Sequence, residues 1–228
     1  MDPIVVTSPS SPSSPSSASS RSGPSSGPTR LPPSWRWAIV GWIALAMALA
    51  GSGAFATVRP LVPIALVAAI AGTIVGWRRS PALRAFTESI DLRLPILFHL
   101  VRIGFGALFL VELEAGRLPS YFALRAGVGD IIAGVLAVVA ALAAGGRRAA
   151  AQPLSGARRA LILGWSALGL ADIIAVVLTA QYVLFVLDDA LLAQTLPLFP
   201  YALLPTIVVP LVILTHLLVV QRLWRRRG

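Results

Sequence analysis

Five residues of this chain carry a charge or a titratable ring inside otherwise apolar sequence: His99, Arg102, Asp130, Asp172 and His216. A charge within an apolar span costs a few kcal/mol, so each must find a partner or a water-lined cavity. His99, Arg102 and Gly106 are spaced by three and then four residues, which puts them on one face of a single helix. At 1.5 Å per residue Arg102 lies about 13 Å and Asp172 about 18 Å from the basic ends of their helices. A bidentate Arg102–Asp172 pair is therefore within reach. Such a pair either glues two helices together or lines a path for protons or a small solute.

His99 and His216 are the only histidines. Both fall about 9 Å from the basic ends of their helices. Three roles fit two histidines at one depth: hydrogen-bonded structural groups, members of a proton route, or the axial pair of a b-type haem. No other cofactor and no metal site is expected. Asp130 follows Gly127 and Gly129 and is read as the cap of a helix beginning there, or as an outer polar site.

Soluble-enzyme chemistry has no foothold in the sequence. With no cysteine in the chain, thiolate metal sites, iron–sulfur clusters and disulfides are excluded. There is no phosphate loop, no His-Glu-x-x-His pair and no Gly-x-Ser-x-Gly elbow. Ser155 and Ser166 have no base beside them in sequence. A non-enzymatic protein is expected.

The elements that must position these residues follow from composition. Of 228 residues 57% are hydrophobic and only 12% charged, about half the charge of a soluble domain. Six segments reach the length of apolar chain that crosses a bilayer: Trp35–Val58, Leu61–Trp77, Leu94–Leu113, Gly127–Ala144, Ala160–Tyr182 and Ala202–Gln221. The net charge of +10 comes from nineteen arginines without a lysine. These flank the apolar runs, which argues for topology signals and against nucleic-acid binding. With the N-terminus inside, fifteen arginines fall on inner segments and three (Arg59, Arg117, Arg125) on outer ones. Both termini are therefore expected in the cytoplasm of a cell-membrane protein.

Between spans, Ser80-Pro81 reads as a cap and first helical turn. Leu83, Phe86, Ile90 and Leu94 then recur at helical spacing, as in a short helix lying on the inner surface. The stretch 183–201 continues the fifth helix and then turns at the interface. Pro210 removes a backbone donor, frees the Thr206 carbonyl and should kink the sixth helix. Gly127, Gly134, Ala137 and Ala141 share one helical face that invites close packing. Faces of this kind on the first and fourth helices would also serve a homo- or hetero-oligomer, or an assembly subunit.

The run Leu118-Pro119-Ser-Tyr-Phe122-Ala123-Leu-Arg-Ala126-Gly127-Val-Gly129-Asp130-Ile-Ile-Ala-Gly134 resembles a group of uncharacterised bacterial multi-pass membrane proteins that carry LPxxFAxxAGxGDxxxG between two spans. His99-Leu-Val-Arg102, Gly164-Trp165 through Asp172, and Pro205 through His216 are similar to the same group, over residues 92–222. The resemblance implies one common design for the five polar residues and no particular activity. The expected whole is an all-α, six-helix transmembrane bundle in contact with lipid. A disordered Ser/Pro-rich tail (1–34) precedes the membrane domain (35–222), and a basic end (223–228) follows it.

Overall fold

The computed structural model describes residues 30–145 and 154–225. The proposed tail up to residue 29, the Arg147-Arg148 pair and the last three residues lie outside that range.

Nine helices are described: α1 (Pro33–Gly51), α2 (Ala54–Thr57), α3 (Leu61–Arg79), α4 (Pro81–Ser89), α5 (Arg93–Glu114), α6 (Ser120–Ala144), α7 (Gly156–Leu187), α8 (Ala190–Thr195) and α9 (Leu204–Arg225). Six of them, α1, α3, α5, α6, α7 and α9, are long and apolar enough to cross a membrane. The all-α, six-span architecture expected from the apolar runs is the one found. Two boundaries differ in ways that matter. The fourth span begins at Ser120, seven residues before Gly127, so the outer connection shrinks to a tight turn. Arg125 then stands on the second turn of α6 rather than in a loop.

Gly116 makes that turn. It adopts φ +68°, a left-handed conformation open to glycine. Its N–H donates to the Leu113 carbonyl (2.9 Å) and the Arg117 N–H to the Glu112 carbonyl (2.9 Å), the paired bonds of a Schellman ending. The chain reverses at once and α6 runs back along α5. Three glycines let the two backbones touch. A Cβ on Gly106 would lie 2.5 Å from the Gly127 carbonyl oxygen, and one on Gly134 would lie 2.6 Å from the Ile103 side chain. The small-residue face of the fourth span is thus consumed inside the chain by α5.

The bundle has a dense part and a loose part. Helices α5, α6, α7 and α9 bury one cluster around Ile96, Ala137, Ile162 and Val219, and a second around Phe109, Phe122, Val176 and Leu204. By contrast α1 buries only Ala46 and Ala50, and α3 only Val62 and Leu66. The kink element behaves as the proline chemistry requires. Pro210 follows a π-helical turn, Leu204–Val208, and the Thr206 carbonyl that it strips of a donor accepts from the Trp42 indole at 2.9 Å. One hydrogen bond thereby both satisfies the broken helix and ties α1 to α9.

At the basic end, Ser80 Oγ accepts from the Leu83 N–H at 3.2 Å and caps α4 as its sequence implied. Leu83 is buried on the inner face of α4. Leu94, expected to extend that face, instead belongs to α5 and is exposed. The Arg222 guanidinium donates to the carbonyls of Ile90 (2.5 Å) and Glu88 (3.1 Å), locking α4 to the end of α9. At the opposite end, α7 closes with a π-helical turn, Val183–Leu187, and Asp188 turns left-handed at φ 49°. Asp tolerates that conformation better than most side chains. Asp189 Oδ1 then caps α8 by accepting from the Leu192 N–H at 3.0 Å.

Candidate functional site

The five polar residues converge in the dense half of the bundle. Arg102 is 2% exposed and all three of its guanidinium nitrogens are engaged. Nε donates to Asp130 Oδ1 at 2.7 Å, Nη1 to the Gly169 carbonyl at 3.2 Å, and Nη2 to Asp172 Oδ2. A single side chain on α5 therefore binds α6 once and α7 twice. Asp130 sits ten residues after the start of α6 at Ser120, hence about 15 Å into the span. Capping is thus the wrong role for Asp130. The helix interior needs no cap, and its carboxylate is one half of a buried ion pair. The Gly-x-Gly before it relieves close packing and marks no turn. A Cβ on Gly129 would run into the Asp172 carboxylate.

One guanidinium faces two carboxylates, so with both ionised the cluster retains one unbalanced negative charge. Its two acids differ in setting: the Asp130 side chain is 7% exposed and that of Asp172 26%. The more open side of the cluster is therefore at Asp172.

The histidines close the other side. His99 and His216 are fully buried, with ring centroids 4.1 Å apart and Trp165 at 4.9 Å from each. A 3₁₀ turn, Phe98–Leu100, sets His99. Its Nε2 lies 3.0 Å from Thr215 Oγ1, whose own proton goes to the Leu211 carbonyl at 2.7 Å. His99 therefore donates through Nε2 and leaves Nδ1 bare. His216 Nδ1 lies 3.0 Å from Ser166 Oγ, while His216 Nε2 packs where a Cβ on Gly169 would stand, at 2.7 Å. Neither His99 Nδ1 nor His216 Nε2 has a hydrogen-bond partner. Two imidazoles that ligate one haem iron hold the whole macrocycle between them. Rings in direct contact, wedged by an indole, do not fit that group.

Several participants escaped the sequence reading. Ser166 does have a base, supplied across α7–α9 by His216. Its place one turn from Gly169 on the polar stripe of α7 was the available signal. Thr215, adjacent to His216, was another. A second polar knot at the far end was missed entirely. Buried Glu112 accepts from Arg117 Nε (2.5 Å), from Arg117 Nη2 (2.9 Å) and from the Tyr201 phenol (2.5 Å). The Gly116-Arg117 turn announces the first partner, because a Schellman ending brings Arg117 back over Glu112. No local signal announces Tyr201.

Six apolar helices, four of them packed densely about a buried, ion-paired guanidinium, make the architecture of a multi-span helical membrane protein. Residues 59–224 match the family described as "Domain of unknown function (DUF8737)", and the chain belongs to that family. The match begins just before α3 and contains all five cluster residues, leaving α1 outside. No curated protein and no solved structure matches the chain.

Proposed function

We propose that the Arg102–Asp130–Asp172 cluster is a proton-binding centre within the membrane, and that the protein couples its occupancy to the passage of protons or a small solute. The observation that carries this reading is the charge count: one buried guanidinium bonded to two carboxylates. Net charge in a low-dielectric span is costly, and binding one proton neutralises the cluster. Asp172 is the less buried of the two acids, at 26% exposed, and is the one assigned to proton exchange. The reading is non-enzymatic: Ser166 and His216 are both fully buried.

In the same proposal the chain is a bacterial cell-membrane protein with both termini in the cytoplasm. Support comes from the arginine excess at one end of the bundle, where Arg36, Arg78, Arg79, Arg158 and Arg225 gather, and from the motif resemblance. Because the chain lacks cysteine, single cysteines at Ser89 and Gln194 should label from opposite faces of the membrane. Labelling of both from one face refutes this topology.

The competing reading is an ionic latch, favoured by the saturation of every Arg102 nitrogen. The test reconstitutes the full chain in vesicles with a trapped pH dye. Wild type is expected to dissipate an imposed pH gradient and Asp172→Asn to lose that flux while remaining folded. In parallel, Asp130→Asn leaves one carboxylate per guanidinium and should flatten the pH dependence of unfolding. A wild-type chain with no flux and with the pH profile of D130N is a latch.

A further inference from the structure

We infer that the loose half of the bundle is a binding site for one anionic phospholipid, with an acyl chain between α1, α3 and α9 and the phosphate on Arg36, Arg78 and Arg79. A cleft of about 350 Å³ separates these three helices. Trp35, Trp42, Gly72, Thr73, Pro210 and Leu214 are among the residues that line it. Two of its polar side chains are already spent: Trp42 Nε1 donates to the Thr206 carbonyl (2.9 Å) and Thr73 Oγ1 to the Ala69 carbonyl (2.8 Å). What remains is apolar wall, suited to a hydrocarbon chain and to nothing that needs hydrogen bonds.

The mouth of the cleft supplies the opposite chemistry. The Trp35 ring lies on Gly76, in the space that a Cβ would fill, so the start of α1 and the end of α3 stand at one level. Arg36 follows Trp35, and Arg78 and Arg79 follow Gly76 by two and three residues; all three are exposed. Among the described residues none of them has a carboxylate within ion-pair distance. The two acids at this end are taken, Glu88 by Arg225 and Asp91 by Arg93. Three exposed arginines at the ends of the helices that wall an apolar cleft match a phosphodiester head on an acyl chain, since guanidinium binds phosphate oxygens in a fork. A zwitterionic head matches less well, because its own ammonium opposes the arginines.

The test is native mass spectrometry of the detergent-purified full chain, equilibrated with equal amounts of phosphatidylglycerol and phosphatidylcholine of the same acyl length. One phosphatidylglycerol should be retained with at least about tenfold preference, consistent with several basic residues each favouring an anionic lipid surface. The R36Q/R78Q/R79Q variant should lose the preference. Gly72 has open space where a Cβ would stand, so Gly72→Phe, or the smaller Gly72→Leu, should fill the cleft and lower retention of both lipids without unfolding the chain. Equal retention of the two lipids overturns the proposal. So does a preference that survives loss of the three arginines, undiminished binding in the filled variants, or a second copy of the chain retained in place of lipid.

Discussion

Deleting the Arg102 guanidinium while keeping the bulk of its chain, as in Arg102→Met, is the perturbation to which the bundle should respond most. The loss can be worked from the three bonds. Two are charge-assisted, to Asp130 and Asp172, and the third goes to the Gly169 carbonyl. Hydrogen bonds to charged groups contribute about 1.5–3 kcal/mol each. The residual damage is larger than the lost bonds alone, because two carboxylates are left close together in the span with no cation between them. Removing one partner of a buried pair typically costs about 3–5 kcal/mol, and that is the expected destabilisation of R102M. The triple variant R102M/D130L/D172L removes every charge together, and leucine mimics the branched shape of aspartate. It should return to within about 1–2 kcal/mol of wild type. Unfolding of the purified chain in mixed micelles, followed by circular dichroism across a denaturing-detergent titration, reads both values. An R102M protein within about 0.5 kcal/mol of wild type refutes the reasoning. So does a triple variant as unstable as the sum of its single changes, since groups in one network should be strongly non-additive.

Three further outcomes follow from particular contacts. Gly106→Val forces a Cβ to 2.5 Å from the Gly127 carbonyl oxygen and should cost at least about 1–3 kcal/mol in the same titration; a neutral effect means that α5 and α6 do not touch there. Trp42→Phe keeps the ring but orphans the Thr206 carbonyl, for an expected loss of about 1–3 kcal/mol, together with easier proteolysis of α1; unchanged stability and cleavage argue against the tie. Burial, and then its bond to Glu112, pushes the Tyr201 phenol up to about 12. For a group with a raised folded-state value the stabilisation is complete below the ordinary value of about 10 and is lost as pH rises through the higher one. The difference in tyrosinate absorbance between wild type and Tyr201→Phe should therefore titrate near 12, and a step near 10 contradicts the buried knot.

What was legible in the sequence divides along a physical line. The spans were legible because apolar length is a local property, and the Ser80 cap because capping is local too. The Arg102–Asp172 pair was legible because helical rise converts sequence position into depth, and depth limits which charges can meet. Asp130 was misread because its neighbours mislead. Gly127 and Gly129 look like a loop before a helix, whereas their missing side chains admit α5 and the Asp172 carboxylate. Phe122 and Arg125 likewise look like an interfacial loop, yet Phe122 is buried against Phe109 at 5.7 Å inside the first turns of α6. The Tyr201–Glu112 and Ser166–His216 bonds were not legible at all. They depend on the rotation of one helix about its axis relative to another, which spacing within a single helix does not determine.

The packing also constrains how proton occupancy of the cluster could reach the rest of the molecule. Helices α5 and α6 meet backbone to backbone at Gly106, Gly127 and Gly134, and such a contact cannot slide without collision. Arg102 and Asp130 therefore ride on a fixed pair. Polar attachments lead outward from this pair: Arg102 to the Asp172 carboxylate and the Gly169 carbonyl, the Trp165 indole to the Ala133 carbonyl at 3.0 Å and His99 to Thr215 at 3.0 Å, with the Ser166–His216 contact at 3.0 Å joining the next two helices to each other. All of them lead to α7 and α9. Both π-helical turns fall on these same two helices, at Val183–Leu187 and Leu204–Val208, and π turns are a recurrent place for a helix to yield. On the proposed function, a proton taken up by the cluster would loosen the bond between Arg102 and Asp172 and release α7 first. Movement of α7 then carries Ser166 against His216, and α9 carries Thr215 and the Thr206 carbonyl on which Trp42 hangs. On that proposal a signal from the cluster would run outward through α7 and α9 to the loosely held α1, while α5 and α6 stay in place.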